Sequence, residues 1–129
     1  DNPIPDILAA HAGKVIVLDF WATWCSPCVD EMKNDYPAFM TKYDPEQVAV
    51  VFLAQSSPEN IWRDQISKLE FSAIHLQTNK EQTSVVSKLF GISGIPHHAI
   101  FDQQGKLVKA KTSGPGFGLA DEVDKLLGL

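Results

Sequence analysis

The chain has 129 residues, and 11 Lys+Arg against 16 Asp+Glu leave a net charge of −5 with His neutral. That length suits one domain, residues 1–129, able to bury a core without metal or disulfide staples, and an apolar fraction of 44% excludes a disordered chain. The acidic balance, without a Lys/Arg cluster, argues against phosphate-driven nucleic-acid binding, and no run of about 18 apolar residues is present to cross a bilayer.

Residues 1–14 read as a loose lead-in, with at most one helical turn or an edge strand. The chain opens on Asp1 rather than Met, which points to a removed targeting segment or to a piece of a longer protein. The β-branched run from Val15 to Phe20 suits a strand buried on both faces. Cys25 to Tyr43 follows as one helix, since Val29, Met32, Tyr36, Phe39, Met40 and Tyr43 recur at steps of three and four. Pro37 is expected to kink it.

Val48 to Leu53 is a second buried strand. Pro58 to Leu69 reads as a helix with Ser57 as N-cap and Pro58 at its first position; Trp62 belongs to its packing stripe. Ser72 to Leu76 is a short strand, and Gln82 to Phe90 a helix stopped by Gly91. Val85, Val86, Leu89 and Phe90 are expected to face inward. His98 to Phe101 and Lys106 to Lys111 form a hairpin around Asp102–Gly105, and Leu119 to Leu127 is a closing helix. The order β-α-β-α-β-α-β-β-α predicts an α/β fold, a largely parallel sheet between helices with an antiparallel edge.

The two cysteines stand together as Cys25-Ser26-Pro27-Cys28. The pair follows a buried strand and opens a helix, where unpaired N–H groups and the positive end of the dipole stabilise a thiolate at Cys25. The thiolate is the nucleophile in disulfide exchange, and Cys28, one turn inward, is placed to resolve a mixed disulfide. Two plainer readings have weaknesses. A structural zinc site needs four ligands, and His11, His75, His97 and His98 lack the spacing to complete one. A structural disulfide closing so short a loop gains little chain entropy. A peroxidase pattern, Pro-x-x-x-Thr-x-x-Cys, fails because Thr23 lies two residues before Cys25 and no upstream proline fits.

Asp19-Phe20-Trp21-Ala22-Thr23-Trp24-Cys25-Ser26-Pro27-Cys28 resembles the active-site segment of thioredoxin-fold oxidoreductases, most closely the extracytoplasmic TlpA/ResA group. Gly94-Ile95-Pro96 resembles the loop that carries the family's cis-proline, and Phe101 to Val108 its terminal hairpin. The likeness runs from about Val15 to Leu129, and three motifs in the same order make it specific. It implies a thioredoxin-like fold: a central mixed sheet flanked by helices, with an extra βα insertion before the proline loop. Departures from the pattern are Lys33 where a proline is usual, Val29 where a basic residue is common, and His97-His98 after Pro96.

The resemblance further implies thiol–disulfide exchange with protein dithiols and disulfides, together with a separate redox partner. Cys25 is then the nucleophile and Cys28 the resolving thiol. Asp19 is a buried acid that relays the Cys28 proton; its apolar neighbours Leu18 and Phe20 support its burial. A cis Ile95–Pro96 bond exposes the Ile95 backbone to an extended substrate, and Trp24 forms a rim, while Trp21 reads as core. Reduction is the expected direction. No dissociable cofactor or metal is needed, because the electrons reside in the cysteine pair. The domain is expected to act as a monomer in the bacterial periplasm or outside the cytoplasm, in the manner of a group often held behind a membrane anchor. A metal-binding CxxC module and a non-catalytic adaptor domain are the competing functions. Asp30 and Glu31 are expected to be solvated near the helix start. Of the adjacent His97 and His98, at most one can face the thiols, because neighbouring strand residues point to opposite faces.

Overall fold

A computed structural model describes residues 1–129. Five strands form one sheet in the order β3-β2-β1-β4-β5: β1 Val15–Trp21, β2 Val48–Gln55, β3 Ile74–Thr78, β4 His97–Phe101 and β5 Leu107–Thr112. β1, β2 and β3 run parallel, while β4 pairs antiparallel with both β1 and β5. This is the expected mixed sheet. The inserted βα unit supplies its outer strand, β3, and the helix Lys80–Phe90.

Every residue of β1 is buried, because helices cover both faces and alternate side chains serve two cores. Val15, Val17 and Trp21 enter one core with Cys28, Met32, Tyr36, Phe39, Leu119 and Val123. Ile16, Leu18 and Phe20 enter the other with Ile4, Ile7, Val86 and Phe90. Asp19 shares the parity of Val17 and Trp21, so its carboxyl belongs to the face that carries the cysteines.

The six helices are α1 Ile4–Ala10, α2 Ser26–Asn34, α3 Tyr36–Lys42, α4 Glu59–Ser67, α5 Lys80–Phe90 and α6 Leu119–Leu127. The lead-in is thus better ordered than its composition indicated: α1 buries Ile4 and Ile7 against the second core. The single helix expected over 25–43 is two. α2 ends at Asn34, Asp35 lies between, and α3 restarts with Pro37 in its first turn. A proline ring clashes with the carbonyl four residues back but is tolerated in a first turn, so the break falls just before Pro37. It turns Tyr36 fully into the core.

Other boundaries shift for local reasons. α4 begins at Glu59 with Pro58 at the cap position. Ser57 does not cap it: its hydroxyl donates to the Gln55 carbonyl and accepts the Thr23 N–H. α5 starts earlier than expected because Asn79 and Gln82 form a reciprocal capping box, and it ends at Gly91, whose φ of 63° suits glycine. Leu89, expected inside, is exposed, whereas Val86 and Phe90 are buried. The hairpin turn is tied by Asp102 Oδ1, which accepts the Gln104 and Lys106 N–H groups.

Ile100 sits fully buried on β4 in the core that holds the cysteines. Ile100→Ala is expected to lower unfolding free energy by about 2–5 kcal/mol, measured by urea titration of the disulfide form.

Candidate active site

Cys25 is the N-cap of α2, with extended backbone (φ −88°, ψ 100°), and its sulfur accepts the Cys28 N–H at 3.3 Å. The strand β1 ends at Trp21, and a turn closed by Cys25 N–H to the Ala22 carbonyl at 3.0 Å delivers the cysteine to the helix start. Cys25 and Cys28 are joined in a disulfide. Cys25 is 6% exposed and Cys28 1%, so both are buried and the first is the more accessible residue. Its neighbours Trp24, Ser26 and Pro27 are exposed.

The Ile95–Pro96 bond is cis, as the resemblance implied. The Ile95 carbonyl oxygen lies 3.8 Å from Cys25 Sγ although 70 residues separate them. Trp24 is 63% exposed, with Nε1 donating to the Ser56 carbonyl at 3.1 Å, which holds the indole at the rim. Trp21 is core. The structure therefore gathers Cys25, Cys28, Trp24 and Ile95–Pro96 at one end of the sheet.

Asp19 is buried, as expected, within a larger polar cluster. Its Oδ2 accepts the Tyr36 hydroxyl at 2.6 Å and lies 3.3 Å from His98 Nε2; its Oδ1 is buried without a protein partner. The same His98 nitrogen is 2.8 Å from Glu31 Oε1. Glu31, expected in solvent, is buried. It stands three residues after Cys28, on the inward side of α2, and its burial follows from the partner that β4 supplies. Gly114 closes over the pair: a Cβ there would meet Glu31 Oε2 at 2.5 Å and His98 Cε1 at 3.0 Å. Asp30 is exposed, as expected.

The two histidines do face opposite ways. His97 packs edge-on against Phe20 and bonds the Ala110 carbonyl at 2.8 Å, while His98 joins the acids. Asp19, Glu31 and His98 bring ligand-type atoms within 4.8 Å of one another, and Asp19 Oδ2, Glu31 Oε1 and His98 Nε2 are engaged in the pairings just described.

Burial raises the Glu31 pKa to about 7; the His98 hydrogen bond opposes the rise, and Asp19 adds to it. For His98, burial lowers the pKa, but the hydrogen bonds to Asp19 and Glu31 outweigh it and hold it at about 10. Burial lowers His97 and His75.

A histidine whose folded pKa lies above its unfolded value contributes stability that is complete below about 6.5 and lost as pH rises through about 10. Buried neutral histidines contribute in the opposite sense around pH 6.5, and Tyr36 and Tyr43, whose pKa values burial raises, add a loss of their own as pH nears 10, so the clean window is pH 8–9. There the unfolding free energy of the disulfide form is expected to fall by up to about 1.4 kcal/mol per pH unit. Urea titrations across that window should show a flatter dependence for His98→Gln.

Residues 13–107 match the family model described as thioredoxin-like. Thioredoxin-1 of Drosophila melanogaster is 30% identical over 103 residues, covering 80% of this chain and 88% of the fly protein. A probable nucleoredoxin 1 of Arabidopsis thaliana is 30% identical over 105 residues, 79% of this chain. Thiol-disulfide oxidoreductase ResA of Bacillus thuringiensis is 25% identical over 100 residues, 75% of this chain. The chain spans 18% of the plant protein's length and 54% of ResA's. A solution structure of a Bacteroides vulgatus protein described as a thiol-disulfide oxidoreductase superposes with a TM-score of 0.78 at 30% identity, over 94% of this chain and 78% of that one. With the paired cysteines at a helix start beside a cis-proline, these likenesses assign the chain to the thioredoxin-like family, as a TlpA/ResA-like thioredoxin-fold protein.

Proposed function

We propose that this domain reduces disulfide bonds in protein substrates. The observation that carries the reading is the placement of Cys25: its sulfur caps α2, receives the Cys28 N–H and lies beside the Ile95 carbonyl at the exposed Trp24 rim. In the reduced protein the same N–H and the helix start favour a thiolate at this position.

The thiolate of Cys25 attacks one sulfur of a substrate disulfide. A Cys25–substrate disulfide forms, and the other substrate sulfur leaves with the electron pair and takes a proton. Cys28 then gives up its proton and attacks Cys25 Sγ, releasing the second substrate sulfur. Two electrons have passed to the substrate, and the domain is left with the Cys25–Cys28 disulfide seen in the structure. Asp19 is the acceptor for the Cys28 proton, on the ground that it is the buried acid on the cysteine-bearing face of β1. The rim of Trp24, Ile95 and Pro96 receives the substrate chain. The cysteine pair stores the electrons, so the reaction calls for no dissociable cofactor, and a separate dithiol partner must regenerate it. We place this work outside the cytoplasm of a bacterium on the strength of the TlpA/ResA likeness.

Cys28→Ala should accumulate mixed disulfides with substrate, visible on non-reducing gels, whereas Cys25→Ala should accumulate none and lose insulin reduction. Trapping by the Cys25 variant instead would reverse the two roles. A redox titration against glutathione and dithiothreitol tests the direction: a potential of about −270 mV supports reduction, and one of about −120 mV would make the domain an oxidant. Trp24→Ala should raise KM for a protein substrate several-fold with a smaller change in kcat, read by steady-state insulin reduction.

A further inference from the structure

His98 lies on β4, opposite Asp19 in the β1–β4 register, and is 5% exposed. One of its ring nitrogens faces two carboxyl groups from different elements, Asp19 Oδ2 on β1 and Glu31 Oε1 on α2. On the other side of β1, the residue opposite Asp19 is Phe52, so β2 offers no charge there. Tyr36, at the start of α3, donates to the same Asp19 oxygen, and Asp35 adjoins it. On β5, Thr112 stands opposite His98, and Lys111 acts on His97, whose ring lies on the other face of the sheet. His98 is thus the basic side chain bonded to this cluster of acids. Two of them are buried, and such groups persist in a core only when paired.

The hydrogen bonds are unevenly shared across Asp19. Oδ2 accepts the Tyr36 hydroxyl and has His98 Nε2, itself hydrogen-bonded to Glu31, as an ion-pair neighbour at 3.3 Å, and Oδ1 is buried without a protein partner. A carboxylate fixed through one oxygen presents the other in a defined direction. Proton transfer requires such an acceptor, placed before the reaction begins.

We propose that His98 is a positioning residue for disulfide exchange: it clamps Asp19 through Oδ2, so that Oδ1 is presented as the acceptor for the Cys28 proton, and through Glu31 it ties that clamp to the helix bearing both cysteines. The proposal rests on the exchange reading above. In the resolving step the Cys28 S–H proton passes to Asp19 Oδ1 while Cys28 Sγ bonds to Cys25 Sγ. The Cys25–substrate S–S bond breaks, its electron pair leaves on the substrate sulfur, and the proton held by Asp19 returns to that sulfur. Atoms and charge balance without a further reactant. His98 stays bonded throughout and touches neither sulfur nor substrate.

The test uses His98→Gln in the whole chain, because glutamine retains a donor but cannot carry charge. Two steps are read separately: alkylation of reduced Cys25 by iodoacetamide, and resolution of a preformed mixed disulfide with a fluorescent cysteine peptide, followed from pH 5 to 10. Resolution at pH 7 is expected to slow at least tenfold, with alkylation changed less than threefold. The midpoint of the resolution profile should move up by a unit or more, since carboxyl groups ionise less readily beside a neutral side chain than beside a cation. A resolution rate and profile matching the unsubstituted protein would overturn the proposal. So would equal slowing of both steps with an unmoved profile, which is the mark of a purely structural role. Should circular dichroism show His98→Gln unfolded, Glu31→Gln takes its place: the proposal expects slower resolution and a displaced profile there, and an unchanged profile overturns it. Absence of any resolution by the unsubstituted protein would remove the exchange reading and the role of His98 with it; normal resolution in both proteins removes only the latter.

Discussion

A carboxyl group buried on the central strand is the constraint around which this domain is arranged. Asp19 occupies a strand whose other residues are all apolar, and leaving it unpaired there would cost several kcal/mol (of the order set by desolvating an ion). Its partners come from two other parts of the chain: the Tyr36 hydroxyl at the start of α3 donates to it, and the His98 ring on β4 lies beside it as an ion-pair partner. Glu31 on α2 joins through the same histidine. One buried group therefore fastens the helix that carries the cysteines, the helix after it and the antiparallel strand to β1. Removing a member leaves the others desolvated without compensation, so the cluster tolerates little rearrangement.

The chemistry sits at the edge of this anchored core. β1 delivers the chain to a turn whose last residue, Cys25, caps α2. The helix then carries Cys28 inward, to the face that also holds Asp19 and Tyr36. The proline loop comes from a distant part of the sequence and lays the Ile95 carbonyl against Cys25. A nucleophile near the surface, a resolving thiol behind it and an acid in the core thus form one inward path.

Much of this was legible in the chain itself, for identifiable reasons. Runs such as Val15 to Phe20 and Val48 to Leu53 announce buried strands because both faces must be apolar there. The CxxC spacing and the Pro96 loop carry chemistry in local order, and they lie where the resemblance implied. Glu31 departs from its expected exposure because its sequence neighbourhood, near a helix start among Asp30 and Lys33, is that of a solvated acid. Its partner stands 67 residues away. Ser57 looked like a cap and serves a cross-loop bond to Thr23 instead. The break at Asp35 could have been found from Pro37, since a proline in a first turn requires a new start nearby. The apolar spacing ran through it unbroken and concealed it.

The amino-acid sequence by itself determined the alternation of strands and helices, the two cysteines at a helix start and the presence of an acid within an apolar strand. These are set by periodicity, capping and spacing, which act over a few residues. Only the tertiary structure decided that His98 faces Asp19 rather than solvent, that Glu31 is buried and that the Ile95 carbonyl meets Cys25. Those outcomes depend on strand register and on the stacking of separate elements, where distant residues compete for the same buried donors and acceptors. No local pattern encodes which of them will meet.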